Sequence, residues 1–580
     1  MHDHLKNLPT RKQALLFSAK VKVLQSLRLL EGLSRGAKKH QLSDDLAEAE
    51  AIGSSSTPLW TEEHASERDL TAGKIQNLRV ACRALNGTVI PAGEVFSFWK
   101  QIGRTTRKKG YVIGRELREG CLIPNLGGGL CQLSNGLYNA ALKAGFSILE
   151  RHAHSQQVPG SLAAVGRDAT VFWNYVDLRF SHAADFRIEA YLSKNHLHIH
   201  YKSEQALDEV RPAVEEKAKA AEPVGNCFSC NVGGCFRNAP QDETKLDLGR
   251  TAVLLDSYVP EFQLWLDENL NADDRVFCPI DSKKFRAPAY RWQNPTTTPF
   301  SYATKLTLTR SLKLRFLPND GGALQRTLMN FDRKLAENYA RRIDYRVTHL
   351  IVSQNLLPHL WELGVMGGRT FEVLATRYPL QEIQRRLNLA HSKHCQSITL
   401  NDFRVDEQLC ALENEALENA RRTYTAHHGV AEVLPGEVTI LPWVIPSVEK
   451  QKEARSDSLK IGFPASPLGK KGIYELRDAL EGIDAEVLIL GTAAEGVHIP
   501  NSRSAGLSEI MNCDVVVLPA YVEHSPRPLL RALTMGVPVI ATKVCGLPAQ
   551  PGLTLLGKPE VSSLRDALIT VLKRPEHRDQ

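Results

Sequence analysis

One cysteine of this sequence follows a run of glycines in a pattern that is typical of a reactive thiol. Gly127, Gly128 and Gly129 allow a tight backbone turn, and the apolar residues beyond them recur at helical spacing. Cys131 would then lie in the first turn of a helix, where unpaired N–H groups and the helix dipole lower the pKa of a thiol. A buried cysteine at a packed helix start would give the same pattern, so both interpretations stay open.

A cysteine nucleophile needs a general base and a group that orients the base. His152 and His154 lie a short way downstream of the predicted helix and are candidates for the base. Asp168 and Asp177 are candidates for the orienting carboxylate. The predicted catalytic residues of this region are Cys131, His152, His154 and Asp168.

A second group of cysteines has the residue types of a metal site. Cys227, Cys230 and Cys235 lie within nine residues, beside two glycines that let the loop wrap. Cys278 is the predicted fourth ligand, and zinc is the simplest occupant of such a closed site. An iron–sulfur cluster and unligated thiols are the alternatives, although the spacing differs from the ferredoxin patterns.

Two adjacent lysines, Lys470 and Lys471, lie between a predicted strand and a predicted helix. Ammonium groups beside a helix N-terminus suit the diphosphate of a nucleotide, although a solvated loop can have the same sequence. Glu523 follows another apolar strand, at the sheet edge where open α/β folds bind ligands. This part of the sequence therefore predicts a nucleotide site.

The elements that must position these residues divide the chain into five segments. Residues 1–58 are a basic leader and linker, 59–202 are a first α+β domain, and 203–247 are a helical spacer with the cysteine group. From residue 248 onward, apolar strands alternate with amphipathic helices, which predicts parallel α/β architecture. Two Rossmann-like halves are expected, at 248–445 and 446–580. The fold class is therefore α/β multidomain.

Composition and charge exclude several classes of protein. The 580 residues are 43% apolar and 24% charged, which is the composition of a globular protein. A chain of this length is too long to fold around one hydrophobic core. The net charge is +7, and residues 1–40 hold nine basic and two acidic side chains, so the rest of the chain is neutral. A general nucleic-acid surface is therefore not expected. Eleven cysteines without an export signal favour a reducing compartment, so the cytoplasm is the expected location.

The basic excess lies on a predicted amphipathic helix. Leu16, Val23 and Leu27 share one side, while Lys20 and Lys22 interrupt any run long enough for a signal peptide or a membrane span. Such a helix either docks on its own domain or lies on an anionic membrane surface. In the second alternative, residues 11–39 would make peripheral contact with the inner face of the membrane.

Five sequence blocks in the first domain resemble the VanW family, which is named for an accessory protein of vancomycin-resistance clusters. The blocks lie at 77–87, 93–99, 127–138, 150–155 and 166–180. The resemblance implies a connection with cell-envelope glycan. It adds further candidate site positions to those above, namely Glu94, Ser97, Gln132 and Thr170.

Residues 461–476 and 514–542 resemble the donor-binding domain of GT-B glycosyltransferases of the family 4 type. The resemblance implies that Lys471 neutralises the donor diphosphate and that Glu523 contacts the transferred sugar. Arg531 stands where the family has a second glutamate, which usually holds the ribose. Either Arg531 or Arg527 contacts phosphate in an altered donor site, or the domain binds without catalysis.

Together these observations predict a glycosyltransferase of bacterial cell-envelope glycan metabolism. It would move sugar from a nucleotide-sugar donor to a glycan or lipid-linked acceptor, with the VanW-like module binding or modifying the same glycan. Lysine and arginine would stabilise the leaving diphosphate, so the transferase site needs no metal. One alternative is a hydrolase or acyl-transferase centred on Cys131, with the GT-B half recognising the substrate. Another is a non-catalytic glycan-binding scaffold.

Overall fold

The structure is a computed structural model of the chain. It describes residues 10–32, 37–61, 67–118, 121–154, 161–205, 225–226, 235, 249–293, 298–317, 321–402, 404–445, 458–491 and 495–572.

The first part of the chain mixes short strands with three helices and a leader helix. In chain order these elements are α1 (Arg11–Gly32), β1 (Ala51–Pro58), α2 (Arg68–Leu85), β2 (Thr88–Ile90), β3 (Val95–Ser97), α3 (Phe98–Ile102), β4 (Ile113–Arg118), β5 (Cys121–Leu126), α4 (Leu130–Lys143), β6 (Ser147–Glu150), β7 (Arg179–Ser181), β8 (Phe186–Leu192), β9 (His196–Lys202) and β10 (Gly225–Asn226).

Antiparallel pairing dominates these strands. One sheet has the order β1-β9-β8-β2, a second has β3-β7-β6, and a third has β10-β5-β4. The alternation of apolar and polar residues in β9 buries Leu197, Ile199 and Tyr201 on the core side, as the sequence predicts. Helix α4 packs on β1 and β9, and α2 packs on β8. The α+β class expected for this domain is confirmed.

The next part of the chain alternates strands and helices. Its elements are β11 (Arg250–Leu254), α5 (Pro260–Asn269), β12 (Arg275–Cys278), α6 (Ser282–Phe285), β13 (Phe300–Tyr302), α7 (Thr304–Arg315), α8 (Gly321–Ala340), β14 (Val347–Ser353), α9 (Leu357–Glu362), β15 (Thr370–Leu374), α10 (Leu380–Lys393), α11 (Glu407–Asn419), β16 (Arg422–Thr425), α12 (His428–Ala431) and β17 (Val438–Ile440).

The last part of the chain repeats this alternation. Its elements are β18 (Lys460–Phe463), α13 (Ile473–Ala479), β19 (Glu486–Leu490), β20 (Ser502–Ala505), α14 (Leu507–Ile510), β21 (Val515–Leu518), α15 (Arg527–Thr534), β22 (Val539–Thr542), β23 (Leu553–Leu556) and α16 (Val561–Leu572).

Two sheets with parallel pairing result. The seven-stranded sheet has the order β13-β12-β11-β14-β15-β16-β17, and the six-stranded sheet has the order β20-β19-β18-β21-β22-β23. Every pairing in the six-stranded sheet is parallel, and its four-residue strand β21 is buried throughout. Continuous apolar strands of this kind are covered on both faces by helices. The two predicted Rossmann-like halves are therefore confirmed as a fold class.

The chain forms two compact units. One unit contains residues 1–251 with 341–349 and 363–370, and the other contains residues 252–340, 350–362 and 371–580. The antiparallel sheets belong to the first unit, and the six-stranded parallel sheet belongs to the second.

Helix α1 divides its apolar residues between two faces. On one face, Val21 is buried, Phe17 meets Phe172 edge-on at 6.4 Å, and the side-chain amide of Gln25 donates to the carbonyl of Trp173 at 2.8 Å. On the other face, four apolar side chains are exposed: Leu15, Leu16, Val23 and Leu27. One face therefore docks on the first domain, while the side predicted from Leu16, Val23 and Leu27 stays exposed. In the described part of the chain, helices that are both long and apolar enough to cross a membrane are absent.

Candidate functional site

A close backbone contact places the two lysines of the last domain. Gly472 has φ +79°, and a Cβ atom there would lie 2.0 Å from the carbonyl oxygen of Pro519. Pro519 follows directly after β21, so the Gly469–Lys471 turn packs against the carboxyl end of that strand. Only glycine fits this position, because it lacks a Cβ and tolerates positive φ.

Lys471 and Glu523 meet at this sheet edge. The Nζ of Lys471 lies 2.8 Å from Oε2 of Glu523 and 3.1 Å from the carbonyl oxygen of Val522. The other carboxylate oxygen of Glu523 accepts hydrogen bonds from the backbone N–H groups of His524 and Ser525, both at 2.9 Å. The structure thus brings together a cation and a carboxylate that are far apart in sequence.

Burial and charge act in opposite directions on Glu523. Burial alone would raise the pKa of this carboxyl, which is 7% exposed. The ammonium of Lys471 and the two backbone N–H groups outweigh burial and lower the pKa below its usual range. Glu523 is therefore an ionised carboxylate at neutral pH.

Lys470 is half-buried, which is unlike a lysine on a solvated loop. Burial, together with repulsion from Lys471, lowers the pKa of Lys470. Its backbone carbonyl accepts hydrogen bonds from Tyr521 and Val522. Both lysines are thus held at one end of the six-stranded sheet, where ligands bind in open α/β folds.

His427 is a residue of this site that sequence reasoning missed. It follows β16 of the seven-stranded sheet, and its Nε2 lies 3.0 Å from the backbone carbonyl of Glu523. Burial lowers the pKa of His427 to about 4, so the ring is neutral. Tyr378 donates from its hydroxyl to the carbonyl of Val544 at 3.1 Å in the same region. The available signal was position, because His427 comes two residues after a largely buried strand, and Glu523 likewise follows a buried strand.

The two candidate arginines differ in their partners. Both terminal nitrogens of Arg527 bind the carboxylate of Glu261, at 3.2 and 2.7 Å, and the side chain of Glu261 is fully buried. The structure therefore gives Arg527 an internal partner. The Nε of Arg531 is buried and makes no hydrogen bond within the described part of the chain.

In the first domain, the glycine turn places Cys131 as the sequence predicts. Gly129 precedes α4 with φ +99°, and a Cβ atom there would lie 2.2 Å from Cγ of Lys74. Helix α4 then begins at Leu130, so Cys131 lies in its first turn and is half-buried. The thiol lies 3.7 Å from the hydroxyl of Thr170.

One of the two candidate histidines and one of the two candidate carboxylates lie beside Cys131. The Nδ1 of His154 is 2.7 Å from Oδ1 of Asp168, and the backbone N–H of His154 donates to Oδ2 at 2.6 Å. The imidazole of His154 acts on the Cys131 thiol and lowers its pKa.

The alternative histidine and carboxylate have other partners. His152 is half exposed, and its Nε2 lies 3.4 Å from Oε1 of Glu150. Asp177 accepts from the hydroxyl of Ser97 at 2.6 Å and from Nε of Arg179 at 3.0 Å. The structure therefore brings together Cys131, His154 and Asp168 and leaves the other two residues outside this group.

The remaining positions implied by the VanW resemblance support the fold locally. Gln132 donates to the hydroxyl of Thr57 and to the carbonyl of Pro58, which ties α4 to β1. Ser97 caps α3 by accepting from the backbone N–H of Lys100. Glu94 forms an ion pair with Lys38 at 2.7 Å.

The predicted metal site falls largely outside the described residues. Cys227 and Cys230 lie there, and for them the hypothesis stays a prediction. Within the described ranges, groups of three or more histidine, cysteine, aspartate or glutamate side chains that could hold a metal ion are absent. Cys278 is fully buried in the apolar core beside β11, and burial raises its pKa well above the usual thiol value. The structure therefore does not support Cys278 as a fourth thiolate ligand.

A comparison with protein families decides the character of the first domain. Residues 73–201 match the family model described as "VanW like protein". This region is a VanW-like domain. The VanW-like domain is similar to the uncharacterized protein YoaR of Bacillus subtilis (strain 168), at 39% identity over 104 residues. It is also similar to the vancomycin B-type resistance protein VanW of Enterococcus faecalis (strain ATCC 700802 / V583), at 34% identity over 115 residues.

These two matches are partial on both sides. They cover 18% and 19% of this chain, and 34% and 42% of the respective relatives. The chain therefore spans less than half the length of either curated relative.

At the other end of the chain, residues 492–580 match the family model described as "Glycosyl transferases group 1". Glu523 lies within the matched region, whereas Lys471 precedes it.

Among solved structures, a sucrose-phosphate synthase from Thermosynechococcus elongatus matches 56% of this chain and 90% of its own, with 14% identity and a TM-score of 0.36. WaaG, a glycosyltransferase involved in lipopolysaccharide biosynthesis, matches with the same coverage and identity and a TM-score of 0.34. At these TM-scores the likeness carries no argument about function.

Proposed function

We propose that this protein is a glycosyltransferase that moves sugar from a nucleotide-sugar donor to a glycan or lipid-linked acceptor of the bacterial cell envelope. The observation that carries the proposal is the pairing of Lys471 with Glu523 at the carboxyl edge of the six-stranded parallel sheet. The match of residues 492–580 to glycosyl transferases group 1 supports it.

The charges at this edge suit the chemistry of a sugar diphosphate. When the bond between the anomeric carbon and the diphosphate breaks, negative charge develops on the leaving phosphate oxygens. The ammonium groups of Lys470 and Lys471 stabilise that charge. Glu523 stays ionised beside them and accepts hydrogen bonds from hydroxyl groups of the transferred sugar. The acceptor hydroxyl forms the new bond to the anomeric carbon, and its proton passes to the departing diphosphate.

The VanW-like domain binds or modifies the same glycan in this proposal. Its support is the presence of both regions in one chain and the name of a relative, a vancomycin B-type resistance protein. The exposed apolar face of α1 brings the protein to an anionic membrane surface, where a lipid-linked acceptor would lie.

Calorimetry with the full chain and a panel of UDP-, GDP- and ADP-sugars tests the proposal. One donor class should bind, and Lys471→Met should weaken its binding at least tenfold, because one charge-assisted contact to phosphate is lost. Lys305→Met is the matched control, since Lys305 is exposed on α7. Absence of binding to every nucleotide sugar overturns the proposal.

Turnover separates a transferase from a binding scaffold. With the bound donor and an envelope glycan acceptor, Glu523→Gln should lower turnover about a hundredfold while leaving the protein folded. Donor binding without any transfer or donor hydrolysis in the wild-type protein would instead favour the scaffold.

A further inference from the structure

We propose that the VanW-like domain contains a second catalytic site, in which Cys131 attacks the carbonyl carbon of an amide or ester, His154 carries the proton and Asp168 orients His154. This inference is independent of the proposed sugar transfer, because none of its residues lies in either parallel sheet.

The positions of the three side chains fit these roles. Asp168 is 1% exposed and holds His154 through two contacts, one to Nδ1 at 2.7 Å and one to the backbone N–H at 2.6 Å. A ring fixed in this way has a single orientation. Because Nδ1 is occupied by Asp168, Nε2 is the ring nitrogen left to exchange a proton with the Cys131 thiol. A cysteine is activated when a base lies beside the thiol and a carboxylate orients that base, which is the arrangement of these three residues.

Hydrogen bonds from α4 and the neighbouring segments hold this arrangement in place. Ser134 and Asn135, one turn along α4 from Cys131, bind the carbonyl oxygen and the N–H of Ala169 at 2.5 and 2.7 Å. These contacts fix the residue next to Asp168. The backbone N–H of Thr170 donates to the carbonyl of His152 at 2.8 Å, which fixes the segment before His154. The three reacting groups are therefore held by one helix and two segments tied to it.

Electrostatics favours a thiolate beside an imidazolium. Burial alone would raise the pKa of Cys131, but the hydrogen bond and charge of His154 outweigh burial and lower it. Burial alone would lower the pKa of His154, but its hydrogen bonds to Asp168 and Cys131 raise the pKa to about 10. The thiolate is the nucleophilic form of cysteine.

Other cysteines of the described chain have the opposite environment. Burial raises the pKa of Cys82, Cys513 and Cys545 to about 12. Such thiols are inert core residues. Burial likewise raises the pKa of Cys278 and Cys410, whereas the pKa of Cys131 is lowered.

The reaction balances with water alone as co-reactant. The Cys131 thiolate forms a C–S bond to the carbonyl carbon, and the carbonyl π electrons move to oxygen near the first turn of α4. The bond to the leaving nitrogen or oxygen then breaks, and that atom takes the proton from His154. Water attacks the resulting thioester, His154 accepts a proton from it, and the C–S bond breaks to restore the thiolate. An amine in place of water gives acyl transfer.

The first test uses p-nitrophenyl acetate with the full-length protein. We expect a burst of nitrophenolate equal to the protein concentration and an acetylated Cys131 in the mass spectrum. Cys131→Ser should abolish both, and His154→Gln should lower the burst rate at least a hundredfold. Cys395→Ser is the matched control, because Cys395 is an exposed thiol outside this group. An unacetylated Cys131 in the wild-type protein overturns the proposal, as does an unchanged burst in Cys131→Ser.

The second test measures the thiol itself by iodoacetamide alkylation between pH 5 and pH 10, with peptide mapping. Cys131 should alkylate with a pKa clearly below the ordinary value of a cysteine thiol. If Cys131 titrates like an ordinary thiol, near pH 8.5, the proposed ion pair is wrong. This measurement does not require that any particular substrate be accepted.

Discussion

Nζ of Lys471 lies 2.8 Å from Oε2 of Glu523, while Oε1 of the same carboxylate is held by two backbone N–H groups. Both carboxylate oxygens thus have partners in the chain itself. A diphosphate that binds Lys471 must therefore compete with Glu523 for the ammonium group. This relationship makes Glu523 part of the stability of the domain as well as part of the proposed donor site.

The pairing predicts how stability depends on pH. The pKa of Glu523 is lower in the folded chain than in the unfolded chain, so its contribution to the free energy of unfolding is present above pH 4.5. That contribution is lost as the pH falls through the folded pKa. Thermal unfolding between pH 6 and pH 3 should therefore show a steeper loss in the wild type than in Glu523→Gln. Parallel curves for the two proteins would contradict the assigned ionisation.

The close contact at Gly472 predicts an unusually costly substitution. Gly472 and Gly536 both have φ +79°, but a Cβ at Gly536 meets nothing within 4 Å. Gly536→Ala should cost about 1 to 2 kcal/mol for the left-handed backbone. Gly472→Ala adds the overlap with the carbonyl of Pro519 and should cost about 1 to 3 kcal/mol more. Denaturant unfolding measures the difference, and equal costs would show that the contact is not rigid.

Arg531 offers a separate prediction about the donor. Its Nε is buried without a hydrogen bond in the described chain, at the position where the GT-B resemblance has a glutamate. If Arg531 binds donor phosphate, Arg531→Met should weaken UDP, GDP or ADP binding about tenfold, which is about 1.4 kcal/mol. Arg385→Met, on the exposed side of α10, should leave nucleotide affinity unchanged. Equal affinities of the Arg531→Met variant and the wild type would remove Arg531 from the donor site.

The two faces of α1 predict which residues contact a membrane. A Leu16→Glu and Val23→Glu double variant places charge on the exposed face and leaves the docked residues Phe17 and Val21 in place. Binding to vesicles that contain phosphatidylserine should fall more than about tenfold, because apolar insertion and cationic attraction act together. Leu389→Glu, at an exposed leucine of α10, is the control. Wild-type protein that stays in the supernatant when the vesicles are sedimented would return α1 to a purely docking role.

Asp168 should control the ionisation of Cys131 through His154. Asp168→Asn removes the charge that supports the imidazolium, so the pKa of His154 falls and the pKa of Cys131 rises toward its ordinary value. Alkylation rates against pH would show the Cys131 inflection move upward. Glu150→Gln, next to His152, should not move it. The shift distinguishes an orienting role of Asp168 from a structural one.

Much of the fold follows from pattern. Period-two alternation in β9 predicts a half-buried strand, and the apolar runs of β18 and β21 predict a parallel sheet, because burial on one face or both faces dictates residue type directly. The glycines before Cys131 likewise predict the start of α4. Local spacing is enough for these features, since the residues involved are neighbours along the chain.

The choice of partners needed the tertiary structure. Spacing could not separate His154 from His152 or Asp168 from Asp177, because the members of each pair have the same residue type and lie close in sequence, and only the fold gives them different partners. It also could not find His427, which reaches Glu523 from the other parallel sheet. Nor could it divide the apolar residues of α1 into a docked and an exposed face. The sequence by itself determined which elements form and which residues have side chains suited to catalysis or ligand binding. The tertiary structure decided which of them meet, because contacts between distant segments depend on packing that no local pattern encodes.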